Sequence, residues 1–516
     1  MEKNSFLDSL KRETNYTLTE NGGIAHKSTL DAVYDMFALG GAYRSRTDED
    51  CILLFKNALE ENEELALKCL FYLRDIRCGQ GERRFFRVCF KWLAKNYPEL
   101  AFRNLDNIPE YGRWDDLYCV EGTELRTDAF DVIQCQLNKD LMSLKEGEKE
   151  GVSLLGKWLK SENASAEDTK YLANQTRIAL RYSHKKYRKI LSALRSRINI
   201  VEKLMSEGKW EEIQYAKLPS RAGLIYRNAF ARRDIISQKY KNFIQSNDTK
   251  VNAKTLYPYN IIKDITKYLD GWRSGIKNIP SIERETLEKY WNNLPNYIFG
   301  KNQSILCVVD TSGSMTYGNS ITPIDVAISL GIYAGERCEG PFKNHYISFS
   351  SRPQLIEIQG IDLADKVNRI YQTNLCENTN LNAVFDLLKE TALQSPENAK
   401  SLPNTIIVIS DMEIDSGSKD CYWNEKREQF KGWTTESAAT EMEKIRTEWA
   451  AAGLTLPNLV YWNVDARNNT ILDSGDSVSF VSGYSSILFE SICKGVKGIE
   501  IMYEKLLSDR YKNIHI

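Results

Sequence analysis

The feature that most limits the fold is a change of pattern near residue 300. Before it, apolar residues recur at helical spacing in one segment after another, as in Leu30, Val33, Tyr34 and Phe37. After it, short apolar runs alternate with helical patterns; the runs span 304–310, 345–351, 404–411, 458–466 and 477–483. Helix pairs joined by short turns are typical of an α-solenoid, whereas strands alternating with helices predict a parallel sheet covered on both faces. We therefore expect an α + α/β protein with a boundary between residues 295 and 296.

Composition excludes several classes of protein. With 42 % apolar and 27 % charged residues, the chain of 516 residues is neither collagen-like nor wholly disordered. No apolar run reaches the roughly 18 residues that a membrane-spanning helix requires. The first residues lack the apolar core of a secretory signal. The 11 cysteines are scattered singly without a C-x-x-C pair, which favours reduced thiols. These features predict a cytoplasmic location and no membrane partner.

The near-zero net charge hides an asymmetry along the chain. Residues 301–516 contain 20 basic and 28 acidic side chains, so the C-terminal part is acidic. Residues 177–241, in contrast, contain 17 basic and 5 acidic side chains. Such a basic block in a near-neutral protein is typical of a surface that binds a polyanion. The alternative is a set of ordinary solvated helix faces.

Side chains with oxygen donors follow two of the apolar runs. The first run ends in D-T-S-G-S, which places Asp310, Ser312 and Ser314 at alternate positions of one turn, where they can converge on one point. Thr379 precedes a later helix, and Asp411 ends a neighbouring run. Hard oxygen donors of this kind suit Mg²⁺, or another hard divalent cation such as Mn²⁺ or Ca²⁺. A His-rich zinc site is excluded, because the 4 histidines are far apart.

These residues resemble the metal-ion-dependent adhesion site (MIDAS) of von Willebrand factor A (vWA) domains. The similarity covers residues 300–510 and consists of D-x-S-x-S after a strand, a threonine before a later helix and an aspartate after a third strand. It implies a doubly wound, Rossmann-like vWA domain in residues 296–516. It also implies that Ser312 and Ser314 bind the ion directly, Thr379 directly or through water, and Asp310 and Asp411 mostly through water. The open coordination position would take an acidic group from a protein partner.

Two other interpretations concern the same region. An apolar strand that ends in aspartate also occurs in phosphotransferases that form an aspartyl phosphate, but Ser312 and Ser314 supply neither a base nor an activating group for that reaction. Glu413 and Asp415, shortly after Asp411, could enlarge an acidic rim or bind a second ion. The alternative for this pair is an acidic cluster at a helix start or on the surface.

Five stretches of the helical part resemble the TROVE module of Ro-type RNA-binding proteins. They span residues 28–37, 71–87, 108–118, 153–162 and 218–234. The most specific pair is R-D-I-R-x-G-x-G-E-R-R followed by Y-G-R-W-D-D-L. The chain is more similar still to an uncharacterised TROVE/vWA-like group of plants, fungi and viruses. The resemblance implies that residues 1–295 form a HEAT-like repeat ring or arc closed by the vWA domain. RNA ends would enter a basic hole, and stem-loop RNA would lie on a basic outer surface.

Basic side chains of the helical part are the candidate RNA contacts. A glycine turn at residues 79–81 before a helix start can accept a phosphate through backbone N–H groups, unless it is a plain turn in which Glu82 pairs with a nearby arginine. The segment 182–197 interleaves basic residues with Tyr182 and Tyr187, which could stack on unpaired bases or pack in the core. The candidates are Arg83, Arg84, Arg87, Lys185, Lys186, Arg188, Lys189, Arg195, Arg221, Arg232 and Arg233, with Arg227 as a further member.

The leading functional hypothesis is a non-catalytic RNA-binding protein that retains, protects or delivers small structured or misfolded RNA and holds Mg²⁺ in its vWA domain. The second is a protein-interaction scaffold in which the metal captures an acidic partner. The third is an enzyme such as a metal-dependent nuclease. Two-metal nucleases need carboxylates that bridge the ions, and this site is rich in hydroxyls instead.

Trp114, Asp115 and Asp116 are expected to be structural.

Overall fold

A helical region is followed by a region built on a six-stranded sheet, as seen in a computed structural model. This arrangement confirms the prediction of an α + α/β protein. The expected boundary at residues 295 and 296 lies between the last helix of the first region and the first strand of the sheet. The structure describes residues 10–11, 14–147, 151–198, 200–270, 275–298, 304–317, 321–349, 352–372, 379–415, 440–473, 475 and 478–516. Residues 350–351 and 477 of two expected strands lie outside these residues, as do residues 435–439 of a helix that the sequence pattern predicts over 435–452.

Helices make up most of the first region. They are α1 (Ala32–Leu39), α2 (Asp48–Glu61), α3 (Glu63–Arg74), α4 (Arg83–Asn96), α5 (Pro98–Arg103), α6 (Ile108–Tyr111), α7 (Arg126–Glu146), α8 (Leu155–Trp158), α9 (Glu167–Ala179), α10 (His184–Arg197), α11 (Val201–Ser206), α12 (Ser220–Arg232), α13 (Asp234–Gln245), α14 (Pro258–Thr266) and α15 (Ser281–Asn292). Short 3₁₀ helices connect them at Gly40–Ser45, Leu105–Asn107, Trp114–Val120, Trp210–Glu212 and Tyr215–Lys217.

Helix α4 shows how these segments are stabilised. Phe85, Phe86 and Phe90 recur on one face and are buried, whereas Lys91 and Lys95 are exposed on the other face. Each fully buried aromatic side chain of this kind contributes about 1.5–3 kcal/mol by leaving water. The apolar face therefore holds α4 against its neighbours α2 and α3, and the lysines remain on the surface.

The second region is a mixed sheet covered by helices. Its strands are β3 (Ile305–Asp310), β4 (His345–Phe349), β5 (Leu355–Glu357), β6 (Thr405–Ser410), β7 (Asn458–Asn463) and β8 (Val478–Ser482), in the order β5-β4-β3-β6-β7-β8. All neighbouring strands are parallel except β4 and β5. The helices are α16 (Pro323–Arg337), α17 (Leu363–Gln372), α18 (Leu381–Leu393), α19 (Pro396–Lys400), α20 (Glu441–Ala451), α21 (Leu488–Cys493) and α22 (Glu500–Leu506). Short 3₁₀ helices lie at Gly313–Thr316 and Asp509–Tyr511.

The strand order creates a crevice at the carboxyl end of β3. This strand lies between β4 and β6, so the connections leave it in opposite directions on its two sides. The loops that follow β3 and β6 diverge there, and this is where ligands bind in open α/β sheets. Every residue of β3 and β6 is buried, as expected for strands covered on both faces.

Each end of the chain packs against the opposite region. An N-terminal hairpin of β1 (Tyr16–Leu18) and β2 (Ile24–His26) joins the sheet region, where the His26 N–H donates to the carbonyl of Ile471 (2.8 Å). Helix α1 lies against β8. At the other end, the Asp509–Tyr511 turn contacts α3, and the Arg510 guanidinium pairs with Asp75 (2.7 Å). The two regions are thus tied together by both termini.

Two helices that the sequence predicts as continuous are broken. Helical spacing of apolar residues predicts one helix near residues 184–207 and another near 222–244. The first is split into α10 and α11, and the second is split at Arg233, whose backbone is extended (φ −85°, ψ 111°). The break allows α12 and α13 to fold back on each other and both to pack on α15. Among the described residues, no helix is both long and apolar enough to cross a membrane.

Candidate metal site and basic surfaces

The first element of the candidate site is the turn after β3. Asp310, the last residue of β3, is completely buried; its carboxylate accepts the N–H of Ser312 (2.8 Å) and the hydroxyl of Ser410 (2.5 Å). Because Ser410 ends β6, this pair of bonds joins the two strands at the crevice. Burial, together with the negative charge of Asp411, raises the pKa of Asp310 well above its usual range.

The two serines of this turn meet as expected. The hydroxyls of Ser312 and Ser314 are 3.0 Å apart, at the start of the Gly313–Thr316 helix. Gly313 is not needed for the turn, since its φ is not positive and a Cβ there would have nothing within 4 Å. Gly313, between the two serines, is exposed, and no atom of the described residues lies next to the position of its Cβ.

The second element is the loop after β6. Asp411 is 1 % exposed; one carboxylate oxygen accepts the Glu413 N–H (3.1 Å), and the other accepts from the Arg467 guanidinium (2.7 Å). Met412 between them has a positive φ (66°), a conformation that costs free energy in a residue with a side chain and is found mainly at functional loops. The loop is thus held in a specific, strained shape that places Asp411 close to Asp310.

Glu413 does not belong to a surface acidic cluster, which was one of the roles considered from the sequence. It is fully buried, and its carboxylate accepts the Glu20 N–H (2.6 Å), the Asn468 amide (3.0 Å) and the Thr470 hydroxyl (3.3 Å). Burial raises the pKa of Glu413 above its ordinary value. With three donors in place, this carboxylate holds the N-terminal hairpin and the loop after β7 against the loop after β6. It is not part of a surface acidic cluster.

Thr379 belongs to the same crevice through the loop after β6. Its buried hydroxyl donates to the carbonyl of Glu413 (3.0 Å), lies 3.3 Å from the carboxylate of Asp415 and accepts the amide of Asn21 (3.2 Å). The backbone also pairs, since the Asp415 N–H donates to the carbonyl of Thr379 (2.9 Å). The three separated sequence elements are therefore linked by direct contacts, Asp310 to Ser410 and Thr379 to Glu413.

The donor set is suited to a hard divalent cation. The crevice combines serine and threonine hydroxyls with the buried carboxylates of Asp310 and Asp411, all of them oxygen donors. Arg467 is the cation paired with Asp411, and it is shared with Glu20 (2.7 Å). Buried carboxylates in excess of their cationic partners are costly, and a bound cation offsets this cost. The negative charges of Asp411 and Glu20 accordingly raise the pKa of Arg467, against the effect of burial.

Sequence reasoning missed the residues that come from other elements. Glu20 and Asn21 lie in the turn of the N-terminal hairpin, and Arg467 follows β7. The E-N-G-G sequence at residues 20–23 is a usable signal for the hairpin itself, because Asn-Gly pairs favour tight turns. Nothing local in the sequence indicates that this turn contacts a loop nearly 400 positions away.

The arginines near the glycine turn are engaged in contacts within the protein. Glu82 caps α4 by accepting the Arg84 N–H (3.3 Å), and it pairs with Arg44, so a carboxylate already occupies the helix N-terminus. Arg84 pairs with Asp48. Arg87 pairs with the buried carboxylates of Asp115 (3.2 Å) and Asp116 (2.7 Å). Of the three candidate arginines, Arg83 is the exposed one. The plain-turn alternative, with Glu82 paired to an arginine, is the arrangement found.

Helix α10 presents basic side chains to solvent. Lys185, Lys186, Arg188 and Lys189 are exposed, and Arg188 is 4.0 Å from Glu162. Tyr182 is half-buried, and the ammonium of Lys186 lies over its ring, 4.0 Å from the ring centroid. Tyr187 is part of the core and donates to the carbonyl of Lys160 (2.8 Å). One of the two tyrosines thus remains at the surface with the basic residues.

The other predicted contacts divide into surface and structural residues. Arg221, Arg232 and Arg233 are exposed, and Arg233 lies over the ring of Trp210 (4.7 Å). Arg195 donates to the carbonyls of Gly156 (2.9 Å) and Leu159 (2.8 Å) at helix α8. Arg227 is buried and bridges Asp264 (2.8 Å) and Glu283 (2.7 Å). These bonds engage the guanidinium groups of Arg195 and Arg227 inside the helical region, so both side chains stabilise that region.

Comparison with known proteins gives matches over most of the chain. A family model described as a domain of unknown function (DUF2828) matches residues 19–119 and 159–301, and a second one (DUF7788) matches residues 304–505. An uncharacterized protein of Acanthamoeba polyphaga mimivirus is 27 % identical over 518 residues, which cover 93 % of this chain and 84 % of that protein. The crystal structure of the Deinococcus radiodurans Ro (RSR) protein is similar with 14 % identity and a TM-score of 0.47, and the match covers 91 % of this chain and 100 % of that one.

Proposed function

We propose that this protein is a non-catalytic RNA-binding protein of the TROVE/vWA type, within the group found in plants, fungi and viruses. Its helical region would form a HEAT-like repeat ring or arc, and its sheet region a vWA domain that carries Mg²⁺. It would bind small structured or misfolded RNA in the cytoplasm. The observation that carries this proposal is the exposed basic face of α10, formed by Lys185, Lys186, Arg188 and Lys189.

The basic face of α10 suits a polyanion for an electrostatic reason. Lys185 and Lys189 are one helical turn apart, both are exposed, and no ion pair among the described residues includes either of them. Exposed ammonium groups of this kind bind phosphates and release the counterions condensed on a nucleic acid. Tyr182, at the edge of the same face, offers a ring next to these charges.

The RNA proposal is tested by charge reversal with a matched control. The double variant Lys185→Glu/Lys189→Glu should weaken binding of a fluorescein-labelled single-stranded RNA by about 10-fold or more in 100 mM salt, and should reduce the salt dependence of the affinity. The control Lys91→Glu/Lys95→Glu changes two exposed lysines with the same spacing on α4 and should leave the affinity within about twofold. Equal losses in both variants, or none in the first, would contradict the assignment to α10.

The metal part of the proposal assigns the ion to the crevice between β3 and β6. Ser312 and Ser314 would bind it directly, with Thr379, Asp310 and Asp411 around it. When bound, the ion would supply a Lewis-acidic anchor for an anionic group of a partner. The hydroxyls of Ser312 and Ser314 contact each other, and Ser410 holds the carboxylate of Asp310 in place. The carboxylates of Asp310 and Asp411 would balance the positive charge of the ion.

Binding of Mn²⁺, followed by electron paramagnetic resonance, tests the metal site. The double variant Ser312→Ala/Ser314→Ala should lose binding by at least about 100-fold, because it removes two direct ligands. Thr316→Ala is the control on the same turn, since among the described residues its hydroxyl donates to the carbonyl of Gly313 (2.7 Å) and is not one of the expected ligands. A double variant that binds Mn²⁺ as the natural protein does would reject this site.

A second candidate function is a scaffold in which the metal captures an acidic protein partner. The exposed position of Gly313 between Ser312 and Ser314 favours it, because among the described residues nothing covers this part of the turn. Native purification separates the two functions. Asp310→Ala would release a bound protein if the scaffold hypothesis holds, whereas the RNA hypothesis predicts that nucleic acid copurifies and is lost in the α10 variant.

A further inference from the structure

The turn of the N-terminal hairpin contacts the loop after β6. The Thr19 hydroxyl donates to the carbonyl of Ile414 (2.6 Å), the Glu20 N–H donates to the Glu413 carboxylate (2.6 Å), and Gly22 forms a β-bridge with Asp415. These contacts bring a segment from the start of the chain to the rim of the candidate metal site. The hairpin is thus a third wall of the crevice, beside the loops after β3 and β6.

Close approach of the hairpin depends on its glycines. Gly22 has a positive φ (84°), and a Cβ at Gly23 would lie 2.8 Å from the carbonyl oxygen of Ile414. A larger residue at position 23 would push the turn away from this loop. The two glycines therefore allow the backbone of the turn to approach the site closely. This approach places the side chain of Asn21 next to the site.

The side-chain amide of Asn21 donates to two groups of the site. One bond goes to the carbonyl of Glu413 (2.6 Å) and the other to the hydroxyl of Thr379 (3.2 Å). The Thr379 hydroxyl in turn donates its proton to the same carbonyl (3.0 Å). A hydroxyl has one proton and two lone pairs. With the proton and one lone pair engaged, a single lone pair of Thr379 remains, and its direction is set by Asn21.

An ion pair holds the hairpin to the other side of the crevice. The Arg467 guanidinium bridges Glu20 and Asp411, at 2.7 Å from each carboxylate. Asn468 also donates to both Glu20 (3.2 Å) and Glu413 (3.0 Å). Two of the residues expected around the ion, Thr379 and Asp411, are therefore each connected to the hairpin turn, directly or through one side chain.

We propose that Asn21 is a positioning residue of the metal site, and that hairpin docking and metal binding stabilise each other. This inference rests on the proposed metal site. The physical reason is thermodynamic linkage: if a docked hairpin aims Thr379 and Asp411 at the ion, then a bound ion must strengthen docking by the same free energy. Residues that orient metal ligands typically change metal affinity by about 10–100-fold when they are removed.

The test compares two asparagines of the same hairpin in the full chain. Asn21→Ala should weaken Mn²⁺ binding by about 10-fold, measured by electron paramagnetic resonance. Asn15→Ala is the matched control, since its amide donates to the carbonyl of Ser28 (2.7 Å) at the base of the hairpin, and it should leave the affinity within about twofold. Hydrogen exchange of residues 16–26 should slow on addition of Mg²⁺ in the natural protein and in Asn15→Ala, but not in Asn21→Ala.

The outcomes separate this inference from the metal site itself. Absence of Mn²⁺ binding by the natural protein would overturn both. Mn²⁺ binding that depends on Ser312 and Ser314 but is unchanged in Asn21→Ala would overturn only the role of Asn21. Hydrogen exchange in the natural protein that is the same with and without Mg²⁺ would overturn the coupling, whether or not any variant folds.

Discussion

At the scale of single residues, the most informative group is a buried cluster of charges in the helical region. Arg74 is 2 % exposed and donates two bonds to one oxygen of Asp116 (2.9 and 2.6 Å), while Arg87 donates to the other oxygen (2.7 Å). The Arg113 N–H also donates to Asp116 (2.9 Å). The R-D-I-R-x-G-x-G-E-R-R and Y-G-R-W-D-D-L motifs thus meet at one carboxylate, and these contacts agree with the expectation that Asp116 is structural.

Removal of the Asp116 carboxylate should strongly destabilise the protein. Asp116→Ala would leave the buried guanidinium of Arg74 without its partner, and breaking a buried pair in this way typically costs about 3–5 kcal/mol. Urea unfolding followed by circular dichroism measures this change. Lys91→Ala, an exposed change on α4, should stay within about 0.5 kcal/mol. A similar midpoint for the two variants would contradict the structural role.

At the scale of elements, the N-terminal helix α1 protects the last strand of the sheet. Strand β8 ends the order of strands and has no strand partner beyond it among the described residues. The N–H of Phe480 in β8 donates to the Tyr34 hydroxyl of α1 (2.8 Å), and the N–H of Gly41 donates to the Ser482 hydroxyl (3.0 Å). The first region therefore covers an edge that could otherwise pair with another chain.

The contact of α1 with β8 can be tested by a substitution that removes a single oxygen atom. Tyr34→Phe removes the hydroxyl oxygen and leaves the buried N–H of Phe480 without an acceptor, at an expected cost of about 1–3 kcal/mol. The control is Tyr97→Phe, because Tyr97 is largely exposed. Thermal unfolding by calorimetry compares the two. If Tyr34→Phe is as stable as the control, the hydroxyl does not support the strand.

At the scale of the whole molecule, the segment near each end of the chain packs against the region at the other end. The N-terminal hairpin and α1 pack against the sheet region. The Asp509–Tyr511 turn packs against α3 and α6. The hydroxyl of Tyr111 in α6 donates to the carbonyl of Arg510 (2.7 Å), and Arg510 neutralises the buried carboxylate of Asp75. The boundary at residue 295 therefore divides the chain but not these packing units.

A fragment cut at that boundary should reveal this interdependence. Residues 296–516 alone lack the hairpin and α1, so the fragment would expose the edge of β8 and apolar side chains now covered by Tyr34 and Phe37. Each such uncovered side chain costs about 1.5–3 kcal/mol. We expect the fragment to unfold in urea at a lower midpoint than the sheet region of the full chain, followed through tryptophan fluorescence. An equal midpoint would show that the sheet region is independent of the N-terminal segment.

Periodicity in the sequence predicted the helical region and the five parallel strands correctly, because helices and buried strands impose their spacing on neighbouring residues. It did not predict the short strand β5, which is antiparallel to β4. The D-T-S-G-S sequence after an apolar run likewise predicted that Asp310, Ser312 and Ser314 lie in one turn. Periodicity did not separate surface arginines from structural ones. Arg188 and Arg227 are equally basic in sequence, but only Arg227 is buried between two carboxylates.

The sequence alone thus determined most of the helices, the five parallel strands and the turn that carries the hydroxyls, since these depend on neighbours within a few positions. Only the tertiary structure decided that the N-terminal hairpin borders the crevice and that Arg467 faces Asp411. Contacts between Asn21 and Thr379, 358 positions apart, arise from the packing of whole elements. No periodicity within either segment records such a contact, because its free energy depends on burial and charge contributed by both segments.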